Sequence, residues 1–264
     1  SGSSEDTTYG QSFPLAATGP NGEVYVVWNN GIEHSIGFVV SYDGGATWTE
    51  PRMIFNSNIF GETRYLEGQG WRHSVKKVVR CEAYPVLQCD LSNSERRGWL
   101  YLTWAADNYP NIYFSRSTDH GQTWSDRVIV HSDTTNDQFW QWHGVDQSNG
   151  DIAVMFLDSR NDPNNIAIET YVSYSSDGGN TWVDKRVSDV TSDLRLNPFD
   201  GNSFAGDYSG LAFSENIVYP SWVDMRNAKN DIFDSDVYTA FINVNAPESA
   251  GNFVAKTIPT EPNK

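Results

Sequence analysis

Two short pairs, Asp158-Ser159-Arg160 and Asp224-Met225-Arg226, set a carboxylate and a guanidinium two residues apart at the ends of apolar runs. That spacing suits an internal ion pair that clamps a loop. It equally suits an arginine cluster that grips a ligand carboxylate through paired N–H bonds. A third run, Trp104-Ala105-Ala106-Asp107, ends on an acid at the comparable place. Residues 56–80 form a long inserted loop that holds Glu62, Arg64, Tyr65, Glu67, Trp71, Arg72 and His73. Insertions of that length in compact domains usually carry function. Asp207-Tyr208 and its counterpart Asp137-Gln138-Phe139-Trp140 precede apolar runs in the same manner. The candidate ligand contacts are therefore Arg64, Trp71, Arg72, Asp107, Trp140, Asp158, Arg160, Asp224 and Arg226.

Metal chemistry has little footing. His34, His73, His120, His131 and His143 show no ligand spacing and read as scattered packing or surface residues. The expectation is no metal and no cofactor, with one opening for calcium at Asp231-Ile232-Phe233-Asp234-Ser235-Asp236, because oxygen-rich loops hold that ion. Cys81 and Cys89 lack zinc-site spacing; in an exported protein they are expected to close a short disulfide loop, with two free thiols as the alternative.

The elements that must position these groups follow from a repeat. Ser41-Tyr42-Asp43-Gly44-Gly45-Ala46-Thr47-Trp48 returns at Ser117–Trp124 and at Ser175–Trp182, always as S-x-D-x-G-x-T-W. Asp and Gly are tight-turn residues, the Ser and Thr hydroxyls can tie into the same turn, and the Trp offers a large face to a neighbour. The structural turn set is therefore Asp43, Trp48, Asp119, Trp124, Asp177 and Trp182. Each copy follows a β-rich run, so it reads as a hairpin turn between two strands. Around it recurs a four-strand unit, over about 13–55, 84–131, 139–188 and 205–258, behind a polar lead-in at 1–12. The fold class expected is all-β: four blades of four antiparallel strands in a β-propeller spanning 13–264. In such blades the aspartate turns leave by one face. The connections from second to third strand and from blade to blade leave by the other, where the candidate contacts gather.

The S-x-D-x-G-x-T-W pattern resembles the Asp-box, or BNR repeat, of sialidase-like β-propellers. That resemblance implies a six-bladed ring, so the four visible units are either part of a longer ring or a ring of four. Unpaired blade edges would invite self-association. It also implies an arginine cluster for an acidic sugar, a Tyr nucleophile paired with a Glu, and an acid/base Asp. Tyr208, Asp207 and either Glu62 or Glu67 are the residues to cast in those roles. The family's Arg-Ile-Pro signature has no counterpart; the nearest approach is the reversed Pro51-Arg52.

The chain has 18 basic and 34 acidic residues, a net charge of −16, which disfavours nucleic acid and anionic membranes as partners. No apolar run is long enough to span a bilayer as a helix. Aromatic residues make up 14%, ten of them Trp, as suits β structure and carbohydrate contact. No N-x-S/T sequon occurs. The opening Ser1-Gly2-Ser3-Ser4 reads as a mature or trimmed product. The expected function is a secreted or cell-surface propeller, non-catalytic, that binds glycan or an extracellular protein or assembles at the cell surface, with homo-oligomerisation through open edges as an option; the alternative is a sialidase-like glycoside hydrolase.

Overall fold

The computed structural model describes residues 11–30, 34–56, 60–196, 198–199, 202–203, 209–228 and 235–245. Asp207, Tyr208, Asp231–Asp234 and the last strand expected at 253–255 lie outside these residues.

The chain is all-β, and its sheets are sequential antiparallel meanders. Sheet 1 comprises β1 (Gln11–Thr18), β2 (Val24–Asn30), β3 (Ser35–Ser41) and β4 (Arg52–Phe55). The expected inserted loop is instead a three-stranded sheet over most of its length: β5 (Glu62–Leu66), β6 (Gly70–Val75) and β7 (Val79–Arg80). Sheet 2 follows as β8 (Val86–Cys89), β9 (Leu100–Ala106), β10 (Asn111–Ser117) and β11 (Val128–Ile129). Sheet 3 is β12 (Gln138–Val145), β13 (Ile152–Asp158), β14 (Glu169–Ser175) and β15 (Val183–Arg186). After a small ribbon of β16 (Pro198–Phe199) and β17 (Asn202–Ser203), sheet 4 is built from β18 (Gly210–Ser214), β19 (Ile217–Asp224) and β20 (Asp236–Thr239). β21 (Ile242–Asn243) continues the register of β20 along the same edge of β19.

Successive first strands pack side by side, β1 on β8, β8 on β12 and β12 on β18. The sheets therefore fan outward from a shared inner edge. β9 and β13 are buried along their whole length, as expected of strands covered on both faces. β19 alternates instead, with Val218, Pro220, Trp222 and Asp224 buried and the residues between them more open. Fully buried Trp104, Tyr25, Tyr101, Phe38 and Phe114 anchor the core, and each such side chain contributes about 2–3 kcal/mol of burial energy.

The three aspartate turns share one bonding pattern. The Ser41, Ser117 and Ser175 hydroxyls each donate to the turn aspartate at 2.8 Å. The Thr47 amide donates to Asp43 Oδ1 at 2.8 Å and its hydroxyl to Oδ2 at 2.6 Å, and Thr123 and Thr181 do likewise to Asp119 and Asp177. Those bonds, from Thr47 first, hold the Asp43 carboxyl at about 2. The tryptophans differ. Trp124 meets Phe38 of the preceding sheet edge-on at 5.6 Å between centroids, and Trp182 meets Phe114 at 5.1 Å. Trp48, in the first turn, is exposed.

Inner strands carry a common distortion. Phe13, Tyr84 and Trp140 adopt φ of 54°, 43° and 52°, left-handed values costly for bulky residues. β-Bulges accompany Phe13 and Trp140.

The disulfide expectation is overturned. Cys81 and Cys89 are buried thiols, not joined in a disulfide, that pack into different core clusters. Burial pushes the Cys89 thiol up to about 12.

Candidate functional site

An open cleft of about 1350 Å³ lies between the inserted sheet and the loops of sheets 2 and 3. Its lining comes from β5–β6 and the turn after them, from the β9–β10 and β13–β14 connections, and from the segment entering β12. All of these emerge on the face opposite the aspartate turns, as the strand order requires.

One buried cation fixes the inserted sheet over this cleft. Lys76 stands at φ of 52° and Lys77 at 67°, a left-handed turn that breaks β6 and sends the Lys76 side chain inward. Its side chain is fully buried. Nζ donates to Ser159 Oγ at 2.6 Å, Asn165 O at 3.0 Å, Asn165 Oδ1 at 3.1 Å and Asp137 Oδ2 at 3.3 Å. It also lies 5.4 Å from the Phe139 ring centroid. Burial draws the ammonium below its ordinary value, and Asp137 opposes that shift. The sequence reading missed this lysine, whose only local sign is a charged pair between Val75 and Val78.

The walls carry aromatic rings. Tyr65 and Trp71, 65% and 68% exposed, face each other across the β5–β6 pair with centroids 6.1 Å apart. Arg64 binds Glu62, Nη2 to Oε2 at 2.5 Å, and Arg72 donates to the Trp71 carbonyl at 2.8 Å. His34 and His73 stand edge to face at 6.4 Å, and burial, then the neighbouring His34, lowers the His73 imidazole. Lining residues include four cations, Arg64, Lys76, Lys77 and Arg195, against two carboxylates, Glu62 and Asp137. The balance reverses that of the whole chain, and it favours an anionic or strongly polar ligand.

Of the residues expected here, Glu62, Arg64 and Trp71 line the cleft, and Arg72 is their strand neighbour. Glu67 is exposed in the turn between β5 and β6. The Asp-x-Arg pairs are clamps. Arg160 binds Asp158 at 2.7 Å and Asp184 at 2.6 Å and lies 4.2 Å over the Tyr171 ring. Arg226 binds Asp224 at 2.8 Å and Asp189 at 2.9 Å and lies 3.8 Å over Tyr238. Sheet 2 builds the same unit differently: Tyr113 donates to Asp107 at 2.6 Å, and Arg127, from beside β11, lies 4.3 Å over that ring. Each unit ties the end of a second strand to a third-strand tyrosine, and none of Asp107, Asp158, Arg160, Asp224 or Arg226 lines the cleft. Trp140 is likewise elsewhere. It is buried beside a cavity of about 310 Å³ at the inner edge, together with Phe13, Tyr84 and Trp142. Its bulge turns it toward the inner edge rather than the outer loops. Among the described residues no group of acidic, histidine and cysteine side chains has the makings of a metal site.

With this geometry in hand, comparison is informative. A sialidase from Paraclostridium sordellii is 30% identical over 148 residues, which cover 50% of this chain and 36% of that protein. Among solved structures, a Hadza microbial sialidase superposes with a TM-score of 0.54 at 15% identity, over 89% of this chain and 45% of its own. A Penicillium chrysogenum α-L-arabinanase complexed with arabinobiose gives 0.55 at 15% identity, over 95% and 66%. The chain thus spans about a third of the curated relative and half to two thirds of these structures. No protein-family model matches it. The neighbours are glycoside hydrolases, and the likeness shows a shared fold, that of a β-propeller.

Proposed function

We propose that this protein is an extracellular, sialidase-like propeller whose four sheets are four blades, and that it binds a glycan in the cleft beneath the inserted sheet. The observation that carries the reading is the exposed Tyr65–Trp71 pair on a cleft wall that also presents Lys77, together with Arg64 and Arg195 held by Glu62 and Asp193. Flat aromatic faces take up the apolar side of a sugar ring, and guanidinium groups bind carboxylates and hydroxyls by directed N–H donation. Both lining carboxylates are already engaged, Glu62 by Arg64 and Asp137 by Lys76. That supports recognition rather than acid–base chemistry.

Binding to an array of neutral and acidic glycans tests the proposal. Trp71→Ala and Tyr65→Ala should each weaken retention at least about tenfold while leaving the fold intact. Retention unchanged in both variants would sink it.

A second reading, an exo-acting sialidase-like hydrolase, is favoured by the partial likeness to a curated sialidase. It casts Tyr208 as nucleophile, Glu62 or Glu67 as its partner and Asp207 as acid/base. Turnover of a fluorogenic sialoside that Tyr208→Phe abolishes would establish it in place of the first. Calcium near Asp231–Asp236 is tested in either case by a change in melting temperature on adding EDTA.

A further inference from the structure

The joint between one sheet and the next is repeated, and its two halves can be named. One half is an aromatic pair on the trailing face of a sheet: Tyr25 with Phe38 in sheet 1, Tyr101 with Phe114 in sheet 2. All four rings are at most 1% exposed. The other half is the aspartate turn of the following sheet. Its second-position glycine lies flat on the phenylalanine, so closely that a Cβ on Gly121 would overlap the Phe38 ring, and one on Gly179 the Phe114 ring. Trp124 and Trp182 close over the same rings. An arginine of the earlier sheet completes each joint, Arg52 donating to the Gln122 carbonyl at 2.9 Å and Arg116 to that of Gly178 at 2.6 Å.

The chain carries one unused copy of the turn and, on sheet 4, a variant of the aromatic half in which Thr239 stands at the place of Phe38 and Phe114 and Phe241, two residues on, supplies the second ring. The first turn keeps the full sequence, yet a Cβ on Gly45 would meet only its own Trp48, and Trp48 and Tyr42 are 46% and 53% exposed. On sheet 4, Tyr219 stands two residues before Ser221. Tyr25 and Tyr101 hold the same offset from Val27 and Thr103, and these three pair with Thr239, Phe38 and Phe114. Tyr219 packs edge-on to Phe241 at 5.7 Å, but the two rings are 42% and 46% exposed, beside Val237 at 46%. A soluble chain rarely leaves such apolar faces open without a partner. The two faces are not joined to each other within the molecule, since both stay exposed.

We infer that the open turn face of sheet 1 docks on the open aromatic face of sheet 4 of a second copy, head to tail. Self-association is favoured over a foreign partner because the one chain presents both complementary halves, and the internal joints show how they fit. Such a contact is heterologous, so it propagates until a ring closes. Among the described residues neither arginine of the internal joints has an equivalent on Tyr219's face, so the association is weaker than the internal joints and depends on concentration.

Complementation decides the matter. The wild-type chain should show a concentration-dependent rise in mass by light scattering. Trp48→Glu alone and Tyr219→Glu/Phe241→Glu alone should each remain monomeric, with unchanged circular dichroism. Mixed, the two variants each retain one good half and should form a species of twice the chain mass. A wild type that stays monomeric at its highest soluble concentration overturns the proposal, as does a mixture that fails to associate. A monomer whose Trp48 fluorescence resists acrylamide would overturn it too, by placing another stretch of the same chain on that face.

Discussion

The ammonium of Lys76 sits 2.6 Å from the hydroxyl of Ser159, in a pocket formed 61 to 89 residues further along the chain. The inserted sheet is thereby pinned to sheet 3 at one buried point. Lys76→Met leaves Asp137 buried without its cation and should cost about 3–5 kcal/mol in urea unfolding. The double variant Lys76→Met/Asp137→Asn should recover part of that loss. An equal loss in single and double variants would contradict the pairing.

The turn glycines divide by neighbour rather than by conformation. Gly45, Gly121 and Gly179 have φ of 94°, 82° and 88°, so alanine is strained at all three. Only Gly121 and Gly179 also abut a ring of the preceding sheet. Gly45→Ala should therefore cost about 1–2 kcal/mol, and Gly121→Ala about 1–3 kcal/mol more. Thermal melts of the two variants check the difference.

Acid should weaken the fold in two stages. The Ile112 amide donates to His131 Nε2 at 3.1 Å, which leaves Nδ1 protonated toward the Asp133 carbonyl at 2.8 Å and the ring neutral. Burial first, then repulsion from Arg160, brings this imidazole down to about 4. The unfolded chain takes up that proton below about 6.5, so stability declines from there to about pH 4, by at most about 1.4 kcal/mol per unit. The aspartate turns act lower. Asp43 sits at about 2, so its contribution is present above about 3.8 and is lost as pH falls toward 2. Replacing His131 with Asn should make the upper stage of a stability–pH curve shallower, the remainder coming from His143, which burial lowers to about 3, and should leave the lower stage.

The buried thiols should be inert in the native protein. Cys81 and Cys89 should react with an aromatic disulfide reagent only on unfolding, and intact mass should show both reduced hydrogens. A mass two daltons lower would overturn the assignment.

Arg160→Met should lower stability by about 3 kcal/mol and leave glycan retention unchanged, because the guanidinium serves Asp158, Asp184 and Tyr171 rather than the cleft. Loss of retention at full stability would return it to the binding site.

Strands, turns and their order were legible because β2, β9 and β13 are rich in Val, Ile and aromatic residues between Gly- and Asp-bearing turns. The inserted sheet was not. Glu62–Leu66 is mostly exposed and Gly70–Val75 buries only its last two residues, so no alternating buried face marks their sequence. Trp140 was misplaced because a bulge between Phe139 and Trp142 shifts the register, which sequence period does not record. The Asp-x-Arg pairs allowed both a clamp and a ligand grip from their spacing, and what makes them clamps, the stacking tyrosines 11 and 12 residues downstream on the next strand, is not visible in that spacing. The acids and arginines of β5–β6 were found by insertion length alone, and the lysine that holds them in place was not.

Because Phe38 meets Gly121 in the same way that Phe114 meets Gly179, the contact surface is a standard part, repeated where sheet 1 meets sheet 2 and where sheet 2 meets sheet 3. Gene duplication could add or delete a whole meander between such boundaries without inventing new contacts there. The cleft escapes that uniformity, since it is furnished by the three-stranded sheet inserted between sheets 1 and 2, and specificity can drift there while the scaffold is copied unchanged.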